Sequence, residues 1–439
     1  MFSRDSFHKI PLKCNNCKVY IYIIIPFITT LLGAYLEEYL LFKAAIKKDW
    51  FHLQNNLIPS SILNSPTFIV IDFRCDIIIP SSSRNCRKKE VLDIANLNDT
   101  YSIQQCTEII NGVCSGSEAM SFVKEISTFH RIQASKGYRD AAECASRLLR
   151  LNGLEVSIDR YPADGKTLCF TQKLFKEWNC TDGWLEITEP WHERLSDFNL
   201  EEMSVIQRSA NMDFSDKDLP IIYVDDSIEP ADFNISLLGS LLFVENSFDK
   251  WIDRAIELGA LGIITVSMPE IHPVRVNMSE DLQMTDSHAN LSFHILSDEQ
   301  EGKLCGFAIS PRSGKRLREA CKDMANKGKM VLARFKIFST LREGFIENVN
   351  AVIPGDSDEE ILMVAHLCHP RSSVNDNASG VAVAMEAMCT LNRLIEDGTL
   401  PKPYRTIRLI LVPEFTGTYA FLKENEDRLS KIVAGINLD

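Results

Sequence analysis

Two histidines, three carboxylates and a cysteine in the last fifth of the chain are the side chains best able to do chemistry. His366, Cys368 and His369 follow directly on an apolar run at 361–365, and Asp376 precedes Ala378-Ser379-Gly380. Glu414 ends the run Leu-Ile-Leu-Val-Pro at 409–413, and Asp439 closes Gly-Ile-Asn-Leu-Asp. Imidazole nitrogen and carboxylate oxygen are the donors a catalytic zinc prefers, with a position left open for water. A bound zinc lowers the pKa of that water towards about 7, and a carboxylate between two metals about 3.5–4 Å apart can bridge them. A further glutamate can take the proton and return it to a leaving amine. Singly, each residue has a plainer explanation: Asp376 as a helix cap, Glu414 as a solvated turn residue. Three acids at three successive strand ends, with two histidines beside them, outweigh those explanations.

The elements that must position these groups alternate. The pattern predicts a strand at 348–353, closed by Pro354-Gly355, and a strand at 361–365 buried on both faces. A helix follows at 380–395, then a strand at 406–412, a helix from about 418 and a last strand at 432–438. Alternation of this kind implies right-handed crossovers and an α/β fold with a mostly parallel, mixed sheet flanked by helices. In such folds sites form outside the carboxyl ends of the strands. Upstream, Ser117 is the expected N-cap of a helix carrying Met120, Val123 and Ile126 on one face. A second helix at 138–151 turns Ala141, Ala142, Ala145, Leu148 and Leu149 inward. Gly153 takes the left-handed cap position before a half-buried strand at 154–158.

Between 168 and 338 the texture changes to short strands at 221–224, 240–244, 262–266 and 331–338, with one helix at 248–258. This reads as a second, β-rich lobe without catalytic groups; His272, His288 and His294 are scattered there and read as surface or core residues.

With 439 residues, 45% hydrophobic and 24% charged, the chain is globular and long enough for two or three domains. Its formal net charge of -13 argues against a nucleic-acid partner. Thirteen cysteines follow no scaffold spacing and read as mostly reduced thiols; the lone pair Cys14 and Cys17 makes a poor zinc knuckle. Asn179 and Asn234 belong to Asn-x-Ser/Thr sequons. The uncharged stretch 19–36 follows Arg4, Lys9, Lys13 and Lys18 and precedes Glu37 and Glu38. It reads either as an uncleaved membrane anchor or as a buried hydrophobic segment, leaving membrane-anchored and cytoplasmic locations both open.

Ala-His-Leu at 365–367, Asn-Asp-Asn-Ala-Ser-Gly at 375–380 and Ile-Asn-Leu-Asp at 436–439 carry a resemblance to metallopeptidase family 28. These are the zinc aminopeptidases related to glutamate carboxypeptidase II and the transferrin receptor. The chain looks like an aminopeptidase-like branch of that group over residues 115–439. The resemblance implies a zinc-dependent exopeptidase that hydrolyses the N-terminal bond of a peptide or amide substrate, with one or two zinc ions. It makes Asp376 the bridging aspartate, Asp439 a terminal ligand and His366 the first histidine, with His369 as its rival, and it leaves Glu414 as base or ligand. It implies a region of open role at 1–112, a zinc-peptidase-like domain at 113–167 plus 339–439, and a protease-associated-like insert at 168–338.

Three departures accompany the resemblance. Cys368 stands where the family carries an aspartate that orients the imidazole. Pro413 precedes a single Glu414 where the family has two glutamates. The family's last histidine ligand falls beyond the position of Asp439, which implies a C-terminally incomplete domain with an uncovered apolar sheet edge. A catalytically inactive relative, used for binding, is the alternative function these departures suggest.

Overall fold

The computed structural model of the chain describes residues 70–72, 76–78, 102–246, 248–266 and 302–439. The segment 19–36, the Cys14/Cys17 pair and His272, His288 and His294 lie outside the described residues. In chain order the strands are β1 (Val70–Asp72), β2 (Asp76–Ile78), β3 (Glu155–Ala163), β4 (Leu168–Cys169), β5 (Gln172–Lys173), β6 (Glu177–Glu189), β7 (Glu193–Asp197) and β8 (Met212–Tyr223). They continue with β9 (Leu241–Phe243), β10 (Gly262–Thr265), β11 (Cys305–Ala308), β12 (Val331–Arg342), β13 (Gly344–Ile353), β14 (Glu360–His366), β15 (Thr406–Val412) and β16 (Ile432–Leu438). The helices are α1 (Ile103–Val113), α2 (Gly116–Ile126), α3 (Lys136–Leu151), α4 (Phe248–Glu257), α5 (Pro311–Asn326), α6 (Ser379–Glu396) and α7 (Thr416–Glu424). None of the described helices is long and apolar enough to cross a membrane. The nine described cysteines are free thiols.

The first sheet runs β2-β1-β16-β14-β15-β13-β3. Its centre is parallel, β1 through β15, because α6 and α7 carry the chain back over the sheet between strands. The outer pairings are antiparallel. Side chains alternate between two cores: Met363, Ala365, Leu409 and Leu411 meet α6, while Leu362, Ile410 and Val412 meet Phe421 of α7. Helix α6 is apolar almost all round because it lies between the sheet and helices α1 and α2. The sheet edge expected to lie bare beyond β16 is occupied: β1, from the N-terminal region, pairs with it at Val70↔Gly435.

The second sheet, β11-β10-β9-β8-β12-β6-β7, draws all its strands from between Glu177 and Arg342. Helix α5 covers one face and α4 the other. The chain enters the second sheet from β3 by way of β4 and β5, and returns from β12 through Glu343 alone into β13. At that joint Arg139 bonds the buried carboxylates of Glu347 (2.6 Å) and Glu177, and Glu177 also takes Arg342 (2.9 Å). A Cβ on Gly344 would meet Glu177 Oε2 at 2.3 Å, so no larger residue fits beside this network. The Asn179 amide is engaged there too, accepting from the Lys136 N–H and donating to Glu177.

Helix α2 corrects one sequence expectation. Its N-cap is Ser115, whose Oγ accepts from the Glu118 N–H, and not Ser117. The buried stripe is Ala119, Phe122, Val123 and Ile126. Met120 lies about 100° away from Ala119 and faces outward, 42% exposed. Helix α3 does bury Ala141, Ala142, Ala145, Leu148 and Leu149, and Gly153 takes a positive φ of 81° after it. Met385, fully buried on α6, is therefore expected to cost about 2–5 kcal/mol when changed to alanine. Met120→Ala should change stability by no more than about 0.5 kcal/mol, both read by urea denaturation.

Candidate metal centre

Strands β16, β14 and β15 are neighbours, and their registers bring Leu438 beside Ala365 and Val412 beside His366. Asp439, His366 and Glu414 therefore emerge side by side at one end of the sheet. The loop after β14 leads to α6 on one face, and the loop after β15 leads to α7 on the other. Diverging loops of this kind open the crevice in which α/β proteins bind their ligands.

Four of the contacts are direct. His366 Nε2 lies 3.1 Å from Asp439 Oδ1 and 3.2 Å from Asp376 Oδ1. His369 Nε2 lies 3.2 Å from Asp376 Oδ1 and 3.4 Å from Glu414 Oε2. The structure thus brings His366, His369, Asp376, Glu414 and Asp439 together, with both histidines against Asp376. Both rings are buried, whereas the Asp376 side chain is 57% exposed and opens the cluster to solvent.

The loop that carries these groups is held from behind by Arg131, which has no exposed surface. Its guanidinium donates to the carbonyls of Leu367 (2.8 Å), Ile126, Phe129, Ser372 and Ser373. Its backbone exchanges two hydrogen bonds with His369, at 2.9 and 3.0 Å. Those bonds hold His369 at φ 117°, a conformation a non-glycine residue keeps only when its surroundings impose it. Burial pulls the Arg131 pKa down to about 10, with Cys368, Tyr138 and Asp376 opposing, so the group stays charged at neutral pH.

Asp376 does not cap the following helix. That role falls to Asn377, whose Oδ1 accepts from the Gly380 N–H at 3.0 Å and whose Nδ2 donates to the Leu438 carbonyl at 2.8 Å. A Cβ on Gly380 would sit 2.2 Å from Asn377 Oδ1 and 2.7 Å from the Leu438 oxygen. Glycine is thus required where α6 starts against β16. Asn377 frees Asp376 to face the histidines and fixes the strand end that delivers Asp439. Sequence reasoning missed both Arg131 and Asn377. Asn377 lies inside the Asn-Asp-Asn-Ala-Ser-Gly stretch at 375–380, whereas Arg131 carries no local signal.

The second lobe reaches the loop from the far side. Arg371 pairs with Glu202 at 3.0 Å, and the Arg371 N–H donates to His130 Nδ1. Burial lowers the His130 pKa to about 4, so this ring accepts as a neutral imidazole. Val374 and Phe415, next to the site in sequence, are exposed.

The donor set fits zinc. With donors about 2.0–2.2 Å from the metal, a tetrahedral site separates them by about 3.3–3.6 Å. The His366 contacts of 3.1 and 3.2 Å approach that spacing, and the donor atoms of His366, Asp376 and Asp439 all lie within 4.8 Å of one another. Burial pulls the His366 pKa down, but Asp376, Asp439 and Cys368 outweigh it and push it up to about 12. A raised imidazole pKa adds stability that is full below the ordinary value of 6.5 and fades only as pH climbs towards 12. The carboxylates thus hold a positive charge at Nε2, and a metal must displace it.

Residues 100–439 match the family described as "Domain of unknown function (DUF4910)". The chain belongs to the DUF4910 family. This DUF4910 chain is 35% identical over 100 residues to a Clostridium acetobutylicum protein described as a proposed polysaccharide biosynthesis protein with an aminopeptidase-like domain. That match covers 23% of the chain and spans only about a fifth, 21%, of the curated relative's length. Among solved structures it resembles the peptidase M28 precursor of Shewanella amazonensis, with TM-score 0.52, 19% identity, and 74% of this chain over 71% of that one. It also resembles a zinc aminopeptidase from Bacillus subtilis, with TM-score 0.51, 15% identity, and 74% of this chain over 68% of that one. The DUF4910 chain has the fold of the M28 peptidases and zinc aminopeptidases.

Because zinc must displace the His366 proton, titrating the metal-free protein with zinc near pH 7 should release about one proton per ion bound at that histidine. Calorimetry in buffers of different ionisation enthalpy reads this directly. Zinc uptake without proton release would place the metal elsewhere.

Proposed function

We propose that the chain is a zinc-dependent exopeptidase of the aminopeptidase type, acting on the N-terminal bond of a peptide or amide. The observation that carries this reading is the meeting of His366 and Asp439, from adjoining strand ends, with Asp376 from the loop after β14, and with Glu414 reaching the same cluster through His369. Three protein donors with one side open is the arrangement of a catalytic zinc rather than a structural one. Bound there, zinc would polarise the substrate carbonyl and make a water more acidic.

The remaining work belongs to the chain. Glu414 is partly exposed, and its backbone N–H is fixed by Cys368 Sγ at 3.1 Å. It takes the proton from the attacking water and passes it to the amide nitrogen as the carbon–nitrogen bond breaks. His369 holds that carboxylate at 3.4 Å and links it to Asp376. The lobe at 168–338, which we read as a protease-associated-like insert, steadies the loop through the Glu202–Arg371 pair.

A second reading rests on the same contacts. His369, Asp376 and Glu414 form a second donor set that shares Asp376 with the first, and could hold a second zinc. The number of zincs per chain decides between one ion and two.

Glu414→Gln is expected to lower kcat on aminoacyl or peptide substrates by about 10²- to 10⁴-fold while leaving one zinc bound. Loss of a second zinc in that variant would mark Glu414 as a ligand. Asp376→Asn should abolish zinc binding with an unchanged far-ultraviolet spectrum. Wild-type protein that carries zinc yet cleaves no N-terminal amide would support the binding-protein alternative.

A further inference from the structure

Cys368 is a reactive side chain in the crevice that the proposed reaction uses only as the acceptor of the Glu414 N–H. It is buried, at 1% exposure, yet it packs against polar groups. Its Sγ lies 3.7 Å from His366 Nδ1 and accepts the Glu414 N–H at 3.1 Å. We infer that Cys368 is the positioning residue of this centre, one sulfur atom that fixes the His366 ring and the Glu414 backbone together. This inference rests on the zinc reading of the site.

The ring geometry sets the requirement. His366 turns Nε2 towards Asp376 and Asp439, so a neutral imidazole donating to metal through Nε2 carries its proton on Nδ1. That proton needs an acceptor to fix the tautomer and the ring plane. The group on the Nδ1 side is the Cys368 sulfur. It lies on the Nδ1 side of the ring, the place of an orienting group, while its sulfur also falls within 4.8 Å of donor atoms of His366, His369 and Glu414, so the cobalt spectrum must separate orienting from ligating.

The sulfur is also held still. The Leu367 N–H bonds the Val412 carbonyl at 2.7 Å, and the Leu367 carbonyl takes Arg131 Nε. On the other side His369 makes its paired backbone bonds to Arg131. Cys368 is thus clamped between two fixed residues. Through it the end of β15, which delivers Glu414, is tied to the end of β14, which delivers His366. Sulfur is a weaker acceptor than a carboxylate, so the arrangement gives orientation with less added basicity at Nε2.

The test compares wild type, Cys368→Ala and Cys368→Asp for zinc dissociation constant, by chelator competition, and for the electronic spectrum of the cobalt(II)-substituted protein. Cys368→Ala is expected to weaken zinc binding about 10- to 100-fold, and Cys368→Asp to bring it back to within about threefold of wild type or tighter. The wild-type cobalt spectrum should lack an intense sulfur-to-cobalt charge-transfer band. Unchanged zinc affinity in Cys368→Ala would overturn the inference, and a charge-transfer band would do so by making the sulfur a ligand. If the alanine variant does not fold, Cys368→Asp decides alone: affinity near or above wild type supports the role, and a loss beyond tenfold overturns it. Wild-type protein that binds neither zinc nor cobalt would remove the proposed function itself and this inference with it, an outcome separate from a metal site indifferent to Cys368.

Discussion

The buried guanidinium of Arg131 is the interaction on which the site depends. A charge with no exposed surface is costly unless every donor is used, and Arg131 spends its donors on backbone carbonyls of α2 and of the loop after β14. The loop must pass through a positive φ at His369 and turn back towards α6. Without a central donor it would bury several carbonyl groups unpaired. The same residue pairs its own backbone with His369. One side chain therefore couples the helical layer, the crevice loop and the orientation of a histidine.

Around that anchor, topology concentrates negative charge. Three parallel strands end together, and the sequence places an acid or a histidine at each end. The acids at 376, 414 and 439 lie against two buried imidazoles, with the Arg131 guanidinium behind the loop. The rise of the His366 pKa expresses that imbalance: carboxylates gathered this closely call for a cation, either a proton or a metal. At the opposite end of β14, Glu360 is instead neutralised by a two-point pair with Arg408 and by Arg428. The two ends of the sheet thus differ in kind: one is charge-balanced and structural, the other left open.

Much of this was legible in the chain because strand ends announce themselves. Apolar runs that stop at a polar residue gave β14, β15 and β16, the last two to the residue, and with them His366, Glu414 and Asp439. The contacts that organise the site were not legible, because they join residues far apart in sequence: Arg131 meets Leu367 across 236 positions. Asn377 and Asp376 are adjacent polar residues of similar capping ability, and only the position of β16 decides which one turns inward. The second lobe was read thinly where apolar residues are sparse. Helix α5 buries little beyond Leu317, Cys321 and Met324, although Ser310 before Pro311 is a fair start signal. Strand β6 hides its alternation among acidic residues and Gly183.

On the zinc reading, His366, Asp376 and Asp439 jointly hold the ion. Diffraction at the zinc absorption edge from crystals of the zinc-loaded protein tests it most directly. An anomalous peak about 2.0–2.2 Å from His366 Nε2 and from one carboxylate oxygen of each aspartate is the predicted result. A zinc-loaded crystal with no peak among these three side chains would contradict it.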